Sequence, residues 1–92
     1  MLAKEPIDLK KVKKKDKDNE ILRLGIQAEL DAINLYEQLA AETENEKVKK
    51  VLLDIAKEEK THVGEFQAVL LDLDKEQAKE LEAGKKEVEE MK

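Results

Sequence analysis

Residues 22–40, LRLGIQAELDAINLYEQLA, place Leu22, Ile26, Glu29, Ile33, Tyr36 and Ala40 at alternating steps of four and three, flanked by Gly25, Ala28, Ala32, Leu35 and Leu39. Steps of that size return to one side of a 3.6-residue helix, so the stretch reads as an amphipathic helix with a wide apolar face. One acid, Glu29, sits in the middle of that face. The pattern begins at Asn19, and Asp18 or Asn19 is placed to cap its start. Thr43-Glu44-Asn45-Glu46 ends this helix and offers a T-x-x-E capping box to the next one.

The same stepping resumes through Val48, Leu52, Ile55, Glu59, His62, Phe66, Val69 and Leu73, predicting a second helix over about residues 46–72. Again the central positions of an apolar stripe are polar. The connection is tight, so the two helices are expected to be antiparallel neighbours. Asp74 with Gln77 forms another capping signal. Beyond it, residues 75–91 read as a charge-laced third helix whose apolar members are Ala78, Leu81, Val88 and Met91, with Gly84 expected to end or bend it. Residues 1–18 carry seven Lys against four acids and no sustained period, which predicts a mobile Lys-rich tail with one short turn after Pro6. The fold class is therefore all-α: a two-helix hairpin plus a short C-terminal helix, spanning 19–92 as one domain.

Composition narrows the chemistry. The chain has 92 residues with no cysteine and no serine, which excludes disulfides, thiolate metal sites and cysteine or serine nucleophiles. A net charge of −5 and only two aromatics, Tyr36 and Phe66, argue against a nucleic-acid binder. No apolar run is long enough for a bilayer span or a signal peptide, so a cytoplasmic protein without membrane partners is expected. Charged residues make up 45% of the chain, Lys and Glu above all, a balance found in long exposed helices and in hyperthermophile proteins. A chain this short and this poor in aromatics buries little apolar surface alone, so its stability is expected to come from association.

Glu29, Glu59 and His62 form the constellation that carries chemistry. Glu29 lies about fourteen residues before the turn and Glu59 about fourteen after it, so at ~1.5 Å per residue both stand roughly 20 Å from the hairpin end. They face each other at one level. Glu59 and His62 are spaced i, i+3, which puts a carboxylate and an imidazole one turn apart on one helix face. Dinuclear carboxylate centres in four-helix bundles use one Glu from each of two helices and a Glu-x-x-His from each of the other two. One hairpin supplies one of each, so a two-fold dimer would complete the set. Four carboxylates match the charge of two divalent cations, and oxygen-rich coordination with one imidazole per metal suits iron, with manganese or zinc as competitors. With sixteen Glu in the chain, Glu-x-x-His alone is a weak signal. Its weight comes from two acids at mid-stripe and at matching heights, since Glu is rarely buried unless paired or metal-bound. Glu58 and Glu65 flank the motif at the edge of the stripe, where solvation is expected.

Ala28-Glu29-Leu30-Asp31-Ala32-Ile33-Asn34-Leu35-Tyr36 and, thirty residues on, Glu58-Glu59-Lys60-Thr61-His62 resemble the two motif segments of the encapsulated ferritin-like proteins, within the ferritin and rubrerythrin superfamily. The resemblance spans about residues 20–75. It implies a two-helix half-ferritin whose homodimer, a ferritin-like four-helix bundle, builds a ferroxidase centre holding two iron ions. Glu29, Glu59 and His62 would be ligands and catalytic residues, with Tyr36 beside them. It also implies a ring of five dimers, a decamer, inside an encapsulin shell that stores the oxidised iron. Ala28 and Leu35 stand where that family is expected to carry an additional Glu and a Trp, leaving Asp31 as the outer acid. With no targeting peptide after a linker, the chain reads as the ferritin-like domain of an archaeal-type shell fusion. Two rival readings use the same residues: a zinc- or manganese-binding module without turnover, and a purely structural oligomerisation hairpin.

Overall fold

Three α-helices follow one another in the computed structural model, which describes residues 7–91: α1 (Lys17–Glu42), α2 (Glu46–Leu73) and α3 (Lys75–Glu89). The described residues contain no strand, and none of their helices is long and apolar enough to cross a membrane. Of the expected N-terminal tail, residues 1–6 lie outside the described residues. The remainder forms two 3-10 turns, Leu9–Lys11 and Lys14–Asp16, the first closed by Asp8, whose side chain accepts from the Lys10 N–H.

Each boundary has a local cause. α1 starts at Lys17, two residues before the expected Asn19, and Asp16 precedes it without a side-chain capping bond. Asp18 thus serves in the first turn, with Glu20, where negative charge meets the positive end of the helix dipole. The T-x-x-E box is not formed. Thr43 instead closes α1 through its N–H to the Leu39 carbonyl, and its Oγ1 accepts from the Asn45 N–H at 3.2 Å. Asn45 then caps α2, its Oδ1 accepting from the Val48 N–H at 3.0 Å. Asp74 behaves as its sequence position suggests, ending α2 and accepting from the Gln77 N–H at 2.9 Å to start α3. α3 runs through Gly84 rather than ending there, and stops at Glu89, short of the expected residue 91. One helical glycine costs only about 1 kcal/mol relative to alanine, less than the flanking helix formers supply together.

Packing is confined to the hairpin and is incomplete there. The buried apolar residues are Ile33 and Ala40 on α1 and Ala56 and Leu70 on α2. On α1 these lie along the middle of the apolar stripe. On α2 they do not. At about 100° per residue, the line through Ala56, half-buried Val63 and Leu70 sits roughly 70° round the helix from the centre of the Val48-to-Leu73 stripe. One flank of that stripe therefore packs most closely on α1, while Val48, Val69 and Leu73 of the stripe stay exposed.

The overall shape follows from this. The radius of gyration is 16.5 Å, against about 12 Å for a globule of this length. Rods of 26 and 28 residues are about 40 Å long, so a paired hairpin alone is one long, narrow slab. The observed extents of 47 × 42 × 21 Å require α3 to swing out sideways, and its backbone approaches only α2. Arg23 of α1 reaches the joint between α2 and α3 and pairs with Asp74 Oδ2, fixing where that swing begins.

Candidate metal centre

The antiparallel register brings Glu29 of α1 level with Glu59 and His62 of α2, as the equal distances from the turn require. One ligand atom from each residue lies within 4.8 Å of the other two. His62 Nδ1 is 3.4 Å from Glu29 Oε2 and 3.5 Å from Glu59 Oε2. The Glu29 and Glu59 side chains are 19% and 18% exposed, whereas the imidazole is 44% exposed and opens onto the free side of the hairpin.

Glu29 Oε2 is buried and has no hydrogen-bond partner. Burying a carboxylate oxygen unpaired is unfavourable, and two part-buried carboxylates at one imidazole add mutual repulsion. Among the described residues no lysine or arginine pairs with Glu29 or Glu59. The lysine inside the Glu-x-x-His segment, Lys60, pairs instead with Glu37 at 3.3 Å on the exposed side. The orphaned oxygen, the second carboxylate and the imidazole nitrogen together make a donor set whose types fit iron, manganese or zinc in the divalent state.

Apolar side chains border the group on its open side. Leu22, Phe66 and Val69 line an open depression together with Glu29, His62 and Glu65. Glu58 and Glu65 are exposed, as their place at the stripe edge implies. Tyr36 is half-buried and stands two turns along α1 from Glu29, outside the three-residue group. Asp31 is half-buried as well and lies about 200° round α1 from Glu29. Two features escape sequence reasoning. The Arg23–Asp74 pair joins residues 51 apart in the chain, and no periodicity links them. Gly25 opposite Phe66 is visible only as a small residue on one stripe and a large one on the other, at corresponding heights.

Comparison with known proteins gives the same family from three directions. The Rubrerythrin family model matches residues 20–92. A ferritin-like-encapsulin shell fusion protein of Pyrococcus furiosus is 65% identical over 72 residues, which is 78% of this chain and 21% of that protein. The encapsulin nanocompartment cargo protein EncC of Myxococcus xanthus is 46% identical over 57 residues, 62% of this chain and 44% of that one. The chain thus spans about a fifth and under half of the length of these two curated relatives. The crystal structure of the encapsulated ferritin domain from Pyrococcus furiosus superposes with a TM-score of 0.84 at 56% identity, covering 99% of this chain and 95% of that one.

Proposed function

The chain belongs to the Rubrerythrin family, and from that premise we propose that two copies pair across the open stripe of α2 to make a ferroxidase that oxidises Fe²⁺ to Fe³⁺ with O₂. The observation that carries this reading is the buried, unpartnered Glu29 Oε2 facing His62 and Glu59 across the hairpin. One chain offers three donors, too few to saturate an oxygen-preferring metal. Pairing brings four carboxylates and two imidazoles together around two iron ions, the donor set of di-iron carboxylate bundles.

Each residue has a task in this reaction. Glu29 and Glu59 bind Fe²⁺ as hard anionic donors, and they bind Fe³⁺ more strongly still, which favours loss of an electron. His62 supplies a neutral nitrogen donor, so the four negative charges of the dimer balance two divalent ions without excess. Leu22, Phe66 and Val69 line the depression with apolar groups, which would exclude water and strengthen the carboxylate–metal attraction once a second chain covers it. Two ions held together let O₂ take two electrons in one encounter. Tyr36, two turns along the same face from Glu29, is assigned an outer role, and Asp31, about 200° round α1 from Glu29, is assigned none at the centre.

The names borne by the relatives, a shell fusion protein and an encapsulin cargo protein, support an encapsulin shell as the partner and its interior as the location. Dimers assembling into a larger ring, a decamer in the form expected, would feed oxidised iron to that interior.

Anaerobic Fe²⁺ binding followed by O₂ consumption tests the proposal. One iron per chain bound at the dimer, and oxidation lost in Glu59→Ala and His62→Ala, is the expected result. Tight zinc or manganese binding without iron-dependent O₂ uptake would replace the enzyme with a metal-locked module. No metal binding at all would leave only a structural hairpin.

A further inference from the structure

Gly25 and Phe66 meet one helical turn from the candidate metal centre. Gly25 is four residues before Glu29 and Phe66 four residues after His62, so each shares a helix face with a candidate ligand. A Cβ placed on Gly25 would lie 3.1 Å from Phe66 Cζ and 3.2 Å from each Cε, closer than ordinary carbon contact. The tip of the ring therefore occupies the space that any side chain at position 25 would need. Gly64 and Gly84 have nothing within 4 Å of the corresponding point, so the close approach is particular to Gly25. Phe66 also lines the depression shared by Glu29 and His62.

We propose that Gly25 and Phe66 are positioning residues, a notch and a wedge that set the distance between α1 and α2 at the level of Glu29, Glu59 and His62 and so tune how tightly those three hold a divalent cation. The proposal rests on the metal-centre reading above. Its physical basis is that α1 carries only one of the three donors and α2 the other two, so any spreading of the helices separates Glu29 from its partners. One contact able to resist or cause that spreading, a single turn from the centre, is the ring seated against Gly25. A side chain at 25 would force the ring outward by a few tenths of an ångström or push the helices apart, and ligand placement at that tolerance changes metal affinity.

The test uses Co²⁺ as probe, read by its visible absorption and by isothermal titration on the full chain, with far-UV helicity as the folding control. Gly25→Ala, which favours helix formation, is expected to bind Co²⁺ about tenfold more weakly than wild type, and Gly25→Leu more weakly again. Moving the bulk across the interface in Gly25→Leu/Phe66→Ala is expected to bring affinity back to within about threefold of wild type, with the wild-type Co²⁺ spectrum. Equal affinity in wild type and all variants overturns the positioning role while leaving the metal centre intact. A loss in Gly25→Ala that Phe66→Ala does not repair overturns it as well, because the effect then does not pass through the ring. Absence of Co²⁺, Fe²⁺ and Zn²⁺ binding by the wild-type chain overturns both this inference and the metal-centre reading.

Discussion

Glu29 is the residue at which stability and chemistry pull in opposite directions. Its buried, unpartnered oxygen is an expense to the metal-free protein, so Glu29→Leu should stabilise the chelated protein by about 1–3 kcal/mol, the usual range for an unsatisfied buried polar group. In a domain of this size that corresponds to a rise in Tm of roughly 4–8 °C per kcal/mol. The same substitution should abolish rapid Fe²⁺ oxidation. Thermal melts in chelator and stopped-flow oxidation measure the two halves, and a destabilised variant that still oxidises iron would remove Glu29 from the site. Glu29, Glu59 and His62 were legible in the sequence because height along a helix is simple arithmetic and a buried acid interrupts an apolar period. Arg23–Asp74 was not, since the pair depends on the direction in which α3 leaves α2, and that direction is set by tertiary contacts.

The element most exposed to single changes is α3, which rests on one joint. Asp74 both caps α3 and receives Arg23, so Asp74→Ala should cost about 0.5–2 kcal/mol for the cap, with the partly exposed ion pair adding less than about 1 kcal/mol. Asp74→Asn keeps an acceptor for the Gln77 N–H and should recover most of the loss. Amide exchange locates the effect: faster exchange is expected over residues 75–89 while α1 and α2 keep their protection. Gly84→Ala should act in the opposite direction, adding up to about 1 kcal/mol to α3, because position 84 is helical and open. Unchanged helicity and Tm in Gly84→Ala would mean that α3 unfolds independently of the transition observed. Helix extents were readable from periodicity to within two residues. The chemistry of the turn was less so, because Thr43 had two uses available, and the one that satisfied the Asn45 N–H and the end of α1 displaced the capping box.

At the scale of the whole molecule the hairpin is proposed to be half a structure. Few side chains are buried, the radius of gyration exceeds that of a globule, and Val48, Val69 and Leu73 of the α2 stripe are exposed. Melting should therefore depend on protein concentration, with Tm rising as the chain is concentrated and rising further on addition of Fe²⁺ or Co²⁺. Native mass spectra taken across the same series should show dimers and larger species replacing monomer as Tm climbs. A concentration-independent melt of a monomer would remove the dimer from the proposed mechanism. The expectation of association rests on the low aromatic content and on a stripe wider than one neighbour covers. Which flank of the stripe would pack internally was hidden, because periodicity defines a face without assigning its edges.

The exposure of His62, nearly half open beside two sheltered carboxylates, has a kinetic meaning. A catalyst divided equally between two identical chains obeys a rate law that is quadratic in chain concentration whenever the dimer is dissociated, and linear once it is saturated. If the proposed centre is shared between two chains, scattered copies would be almost inert toward iron, and crowding them together would start the reaction without any change in their number. On the proposed dimer mechanism confinement itself would be the activator: the point at which oxidation begins would be set by how many chains share a volume, and ferric product would accumulate where the protein is gathered.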